Sequence, residues 1–338
     1  MMLVAHSRIL IPPETWFILS LVHRFPLDQE LTAKELEQAI EIMTRHYRWP
    51  DMNLPADDLR AEMACVDEPH LKDLIEVVYG AHLRASGKVR WGDKTPPYIQ
   101  ILPELAALFP GSKFIYLVRD GRDVAKSFQH LRMYGPWLHD NTVEWRDASH
   151  WARKWMRSQY AESILQVRYE DLVIDAEGTL RRICAFLGEE FESQMLSWQE
   201  KVGRMVPTRE LHVHRKLQRG ARREDIDRWK REMTTRELFV AEAFMYGHLD
   251  RYGYLRRYRG SVWIPMFWLA RLYCVVLWPS IPFRILRRII SVVRLKYAPG
   301  RSALNENKDS SKSNSSNVLV EVPRAVSWRT RSWRGFVR

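Results

Sequence analysis

The sequence predicts an α/β protein, a parallel sheet covered by helices, with an extra apolar and basic C-terminal extension. Three observations lead there. Short apolar runs alternate with helix-period segments, in the order strand, helix, strand, helix, strand, between Val89 and Leu187. The run Lys113 to Val118 (KFIYLV) is a six-residue strand candidate rich in aromatic and β-branched residues, as expected of a buried strand. Composition then shifts sharply beyond Gly260.

Taken in order, Met1 to Ile11 reads as the end of a helix and a short strand, stopped at Pro12-Pro13. Apolar residues at three- and four-residue spacing predict helices over Glu14–Val22, Thr32–Met43, Ala56–Cys65 and Glu68–His82. Val89 to Trp91 is a short strand, followed by the turn Gly92-Asp93-Lys94-Thr95-Pro96-Pro97. Pro103 to Phe109 reads as a helix ended by Pro110-Gly111, and KFIYLV follows as a strand. Asp120–Leu131 and Thr142–Tyr160 are helical, Ser163 to Tyr169 (SILQVRY) is a strand, and Ala176–Leu187 is a helix. Trp198 to Asp225 is polar and Arg-rich with little periodicity, and Ile226 to Tyr252 supplies one or two closing helices.

Composition narrows the function classes. Of 338 residues, 46% are hydrophobic and 28% charged, which excludes wholesale disorder, collagen and coiled coil. Cys65, Cys184 and Cys274 form no CxxC, and no His/Cys/carboxylate set suggests a metal. The formal net charge of +12 is unevenly placed: residues 255–338 hold 17 Lys and Arg against 3 Asp and Glu, leaving 36 against 38 elsewhere. The body is nearly neutral, so no specific nucleic-acid partner is expected. Met1 to Ile11 has no basic start and no cleavage site, so the reading is cytoplasmic.

Four segments carry candidate chemistry. In KFIYLVRDGRDVAKS, Arg119 stands where a strand's C-terminal edge meets a helix, the usual ligand crevice of an open α/β sheet. Its guanidinium can grip a phosphate by two parallel bonds, and Ser127 can add a hydroxyl. A surface salt-bridge cluster at the helix start accounts for the same spacing. Lys94, in GDKTP, leaves a strand end and suits a departing anionic group, although a turn lysine is ordinarily solvated. Glu14, after Pro12-Pro13, is either a functional carboxylate or an acidic residue capping the next helix. Tyr169, in YEDL, offers an aromatic platform at a strand end.

Together these segments resemble the sulfotransferases that use 3′-phosphoadenosine 5′-phosphosulfate (PAPS), most closely the bacterial branch related to tyrosylprotein sulfotransferases. The resemblance covers roughly residues 1–254 and implies a P-loop-type sheet. It assigns Arg119 and Ser127 to the 3′-phosphate, Glu14 to the general base towards the acceptor, and Lys94 to the sulfuryl group and its bridging oxygen. Tyr169 would lie by the nucleotide, and Arg228, in Ile226-Asp227-Arg228-Trp229, would reach its phosphates. The family opens with a strand and a PRSGTT-type loop that cradles the 5′-phosphosulfate, and nothing of that kind precedes Glu14. The domain over 1–254 is therefore expected to be N-terminally incomplete. PAPS is the implied co-substrate and a hydroxyl on a glycan, tyrosine, lipid or small molecule the implied acceptor. The alternative from another class is a catalytically inactive, membrane-associated binding protein on the same fold. A nucleotide kinase is disfavoured because GxxxxGK[ST] is absent.

The extension has its own logic. Ser261 to Phe283 nearly reaches spanning length, yet Arg271 sits at its middle and Pro265, Pro279 and Pro282 interrupt it. Interleaved Trp and Arg suit a segment lying along an anionic membrane surface, so residues 255–300 are expected to associate with membrane. A core helix covering the domain is the other reading. Residues 301–338 form a basic tail whose Asn305–Asn317 stretch is low in complexity and expected to be disordered.

Overall fold

The computed structural model describes residues 1–131, 137–201, 220, 222–260 and 263–276. The chain divides into two compact units, Met1–Asp120 with Arg146–Arg228, and Gly121–Trp145 with Trp229 onward.

The first unit opens with a 3₁₀ turn, Met2–Ala5, and strand β1, Ile9–Leu10. Helices α1 (Phe17–Val22), α2 (Ala33–Thr44), α3 (Ala56–Met63) and α4 (Leu71–Ser86) follow. Thr32 and Glu35 form a reciprocal capping box that starts α2, the motif its sequence spells. Phe17, Leu21, Met43, Leu59, Leu71, Leu74 and Ile75 from these helices are all buried in one core. Strand β2, Arg90–Trp91, is tied to α4 by stacking of Trp91 on Tyr79, with ring centroids 4.0 Å apart. Next come α5 (Leu102–Leu108) and β3 (Phe114–Val118). After a passage through the second unit the chain returns with β4 (Ile164–Arg168), α8 (Tyr169–Ile174) and α9 (Ala176–Leu187). A smaller core of Val167, Leu180, Ile183, Cys184 and Met195 seats α9 on β4.

Among the described residues both strand ladders are parallel. β1 pairs β2 with Ile9 opposite Arg90 and Leu10 opposite Trp91. β3 pairs β4 from Phe114 opposite Ile164 to Val118 opposite Arg168. Among the described residues these are two separate two-stranded ladders rather than one continuous sheet. The difference shows in KFIYLV, expected to be buried. Only Val118 is; Phe114, Ile115 and Tyr116 are half-buried and Leu117 is 51% exposed. A strand laddered on one edge lacks the cover that a central parallel strand receives.

The second unit holds α6 (Gly121–Leu131), the closing helices α10 (Trp229–Glu232) and α11 (Thr235–Phe244), and α12 (Trp263–Val276). Helix α7, Leu138–Trp155, contributes residues to both units. Gly121 is required at the start of α6, because a Cβ there would stand 2.6 Å from the Trp145 ring and 2.7 Å from the Met245 sulfur. The strand expected over Ser163–Tyr169 stops at Arg168, since Glu170 and Asp171 favour a helix's first turn. Most of the Arg-rich stretch after Trp198, residues 277–300 and the tail 301–338 lie outside the described residues.

Candidate active site

The register of β1 on β2 brings two sequence-distant segments together. Glu14 lies four residues past Leu10 and Lys94 three past Trp91, both leaving the C-terminal ends of neighbouring parallel strands. The Lys94 ammonium donates to Glu14 Oε1. On the other oxygen, Trp16 Nε1 donates to Oε2 at 2.7 Å and Arg48 Nη2 lies 3.6 Å away. Burial pushes the Glu14 carboxyl upward, but Lys94, Trp16 and Arg48 outweigh it and hold the group below its ordinary value. Glu14 is therefore an ionised acceptor at neutral pH. It does not cap α1, which starts at Phe17 without a side-chain cap or an acidic first turn. Lys94 is the exposed partner at 63%, against 19% for Glu14 and 10% for Arg48.

Beneath this pair lies a hydroxyl cluster centred on Asp93. Thr15 Oγ1 and Tyr79 OH both donate to Asp93 Oδ2. Tyr98 OH donates to the Thr15 carbonyl at 2.5 Å and sits 2.8 Å from Thr15 Oγ1, while Thr15 N donates to Thr95 Oγ1 at 3.1 Å. Each of the three hydroxyl protons thus has an acceptor. The cluster locks Glu14-Thr15 to Asp93-Lys94-Thr95, so the catalytic candidates are held by their immediate neighbours in sequence. Burial raises the Asp93 pKa, the hydrogen bonds from Thr15, Tyr79 and Thr95 oppose this, and the Glu14 charge adds to it; the net shift is upward. Tyr79 and Tyr98 are pushed well above the ordinary phenol range by burial and by Asp93.

The second ladder repeats the pattern. Val118 faces Arg168, so Arg119 and Tyr169 follow side by side past the last ladder pair. The Arg119 guanidinium carbon lies 4.7 Å from the Tyr169 ring centroid, and Nη2 donates to the Asp225 carbonyl at 2.6 Å. Asp120 N donates to the buried carboxylate of Glu170 at 3.0 Å, fixing the turn. Arg228, half-buried, occupies the turn that follows Arg223–Asp225.

Ser127 stands half-buried on α6, in the second unit. The rest of RDGRD departs from a surface salt-bridge cluster, because Asp120, Arg122 and Asp123 are all buried. Arg122 pairs with Glu242 at 2.8 Å, donates to the Leu255 carbonyl at 3.0 Å and stacks 3.7 Å from the Trp229 ring. Asp123 accepts from Trp229 N at 2.7 Å. The motif therefore divides its labour: Arg119 is the one arginine at the strand edge, and Arg122 builds the core of the second unit.

Trp16, Arg48, Asp93, Tyr79 and Tyr98 escape the sequence reading. Trp16 and Asp93 adjoin predicted residues, which is the available signal. Arg48 reaches Glu14 through tertiary packing alone.

The Glu14–Lys94 ion pair and Arg119 each stand just past the end of a parallel strand, the position at which open α/β sheets place their ligand crevices. Residues 1–193 match a family model described as "Sulfotransferase family", more than half of the chain, and the chain belongs to that family. Sulfotransferase 2A6 of Rattus norvegicus is 31% identical over 98 residues, covering 25% of this chain and 34% of that protein. Protein-tyrosine sulfotransferase A of Caenorhabditis elegans is 27% identical over 138 residues, covering 39% and 36%. The chain thus spans about a third of the length of these curated relatives. In fold it is similar to the sulfotransferase domain of the Synechococcus PCC 7002 olefin synthase, with TM-score 0.50 and 23% identity over 72% of this chain and 88% of that one.

Proposed function

We propose that this protein is an enzyme that moves a sulfuryl group from PAPS to an acceptor hydroxyl. The observation that carries the reading is the Glu14–Lys94 pair at the C-terminal edge of β1 and β2, in a chain of the sulfotransferase family. PAPS supplies the sulfuryl group together with phosphates to be gripped. The residues present suit such a donor: Arg119, steadied by the Tyr169 ring and the Asp225 carbonyl, offers a positioned cation at a strand end. Ser127 and Arg228 are the further donors of this reading.

The chemistry asked of the chain is positioning and charge stabilisation. Glu14 takes the proton of the acceptor hydroxyl. Trp16 and Arg48 fix its second oxygen, so the carboxylate is aimed before the acceptor arrives. Lys94, the exposed member of the pair, stabilises negative charge on the departing side. No metal takes part in this reading. The acceptor is a hydroxyl of a glycan, tyrosine, lipid or small molecule, and the setting is cytoplasmic, with the basic C-terminal segment against an anionic membrane surface.

The test is transfer of label from radiolabelled PAPS to a mixed pool of hydroxyl acceptors by the full chain. Glu14→Gln should lower turnover by about 100-fold or more, with donor affinity nearly unchanged. Equal loss of turnover and affinity would remove the base role. Nucleotide binding without transfer to any acceptor would favour the inactive binding protein instead.

A further inference from the structure

The last described helix presents an apolar face to solvent. In α12, Phe267 is buried against Phe239 and Tyr246, at centroid distances of 5.4 and 5.5 Å. Trp263 packs on Tyr258 at 4.9 Å. One side of the helix is thereby anchored to α11 and the loop before α12. At 3.6 residues per turn, Pro265, Met266, Trp268, Leu269 and Leu272 fall within about 160° of arc on the opposite side. All five are exposed, Trp268 and Leu269 at 64% and 63%. Such an exposed apolar face marks an interaction surface.

Charge indicates what it meets. Between Leu255 and Gly300 the sequence has nine Arg and Lys and neither Asp nor Glu. Arg251, Arg257 and Arg259, just before the helix, are exposed, as is Leu255 at 70%. An exposed apolar face bearing Trp268, in a segment whose charges from Leu255 to Gly300 are all positive, complements an anionic bilayer interface. The 14-residue helix is about 21 Å long, short of the roughly 30 Å of a hydrocarbon core. Among the described residues no helix is long and apolar enough to cross a membrane.

We propose that the Met266, Trp268, Leu269, Leu272 face of α12 lies in the interface of an anionic lipid bilayer and seats the protein there. This rests on the peripheral-membrane part of the functional reading and is independent of sulfuryl transfer. The experiment is co-sedimentation of the full chain with vesicles of phosphatidylcholine alone or with phosphatidylglycerol, at low and high salt. Expected is binding to the anionic vesicles that weakens with salt, with Trp268 fluorescence shifting blue against a Trp268→Phe control. Leu269→Glu with Leu272→Glu should reduce partitioning by about tenfold or more, and Arg257→Glu with Arg259→Glu should reduce it through charge. Unchanged binding of the double-Glu variant would overturn the face assignment while leaving peripheral association by the basic segment standing. Absence of binding by the wild-type chain would overturn both. A wild-type dimer made monomeric by the double-Glu change, without lipid binding, would assign the face to a second copy and overturn the proposal. Circular dichroism of each variant, whose altered side chains are exposed, verifies the fold.

Discussion

Asp93 provides a test that separates the architecture of the site from its chemistry. Its Oδ2 accepts from Thr15 and Tyr79, whose residues are 0% and 1% exposed. Asp93→Ala removes that acceptor. An orphaned buried donor costs about 1–3 kcal/mol. The Thr15 and Tyr79 oxygens are 3.1 Å apart, so one hydroxyl can turn to the other, while the Thr95 hydroxyl also loses its bond to Asp93. Removing a buried carboxyl also relieves its desolvation. The expected net loss is therefore about 1–3 kcal/mol, a substantial part of the roughly 5–15 kcal/mol typical of a domain. Asp93→Asn retains an acceptor and loses the titration. Because the fold raises the Asp93 pKa, the folded state binds that proton more tightly than the unfolded chain does. The resulting stabilisation is full below the ordinary carboxyl value near about 4 and fades as pH rises through the folded value. Wild type should therefore lose stability relative to Asp93→Asn as pH climbs from acid towards neutral. Urea unfolding followed by tryptophan fluorescence across that range measures the difference. A difference that is flat with pH, or that moves in wild type's favour, would refute the reasoning.

Glu14 should show the opposite sign, since its pKa is lowered: the stability it adds over Glu14→Gln is full above the ordinary value and is lost as pH falls through the folded one, read by the same unfolding series. Arg119→Ala should weaken binding of adenosine 3′,5′-bisphosphate by about 1.5–3 kcal/mol in titration calorimetry, the scale of one charge-assisted contact; unchanged affinity would count against the phosphate role. Gly121→Ala should destabilise the second unit by about 1–3 kcal/mol through overpacking, because the Trp145 ring and Met245 sulfur stand within 3 Å of the new Cβ. A neutral change in thermal unfolding would show that those side chains yield.

Local signals carried the reading far where the structure is local. Helix α9 spans Ala176–Leu187, the range its periodicity predicts, between an Asp175 cap and a left-handed Gly188. Apolar spacing likewise predicts Thr32–Met43, and α2 runs from Ala33 to Thr44 with Thr32 as its cap. Where environment is set by partners distant in sequence, the pattern alone misleads. KFIYLV has the composition of a buried strand, but burial depends on what lies beside it, and its pairing is with β4 alone among the described residues. RDGRD looks like a hydrated cluster until Glu242 and Trp229, more than 100 residues on, enclose Arg122. Asp93 has the sequence context of a solvated turn, and only the meeting of α4, Thr15 and Tyr98 makes it a buried hub.

Parallel register explains why the candidate site could be assembled from such distant pieces. Neighbouring parallel strands end on the same side, so the segment leaving one strand emerges beside the segment leaving the other. Leu10 opposite Trp91 therefore delivers Glu14 to Lys94 across 80 residues, and Val118 opposite Arg168 delivers Arg119 to Tyr169 across 50. The intervening helices add single side chains to this arrangement, Tyr79 from α4 and, in the proposed function, Ser127 from α6, while the strand register places the segments that leave the ladders, since a one-residue slip would turn every side chain over. Pro12-Pro13 and the Asp93 hydroxyl cluster then convert strand-level placement into side-chain placement by tying the two loops together. This is also why Asp93, although no hydrogen bond to Glu14 or Lys94 is described for it, belongs to the same candidate site as both. The ion pair is specified by the ladder beneath it and the cluster beside it, more than by the attraction of two partly solvated charges.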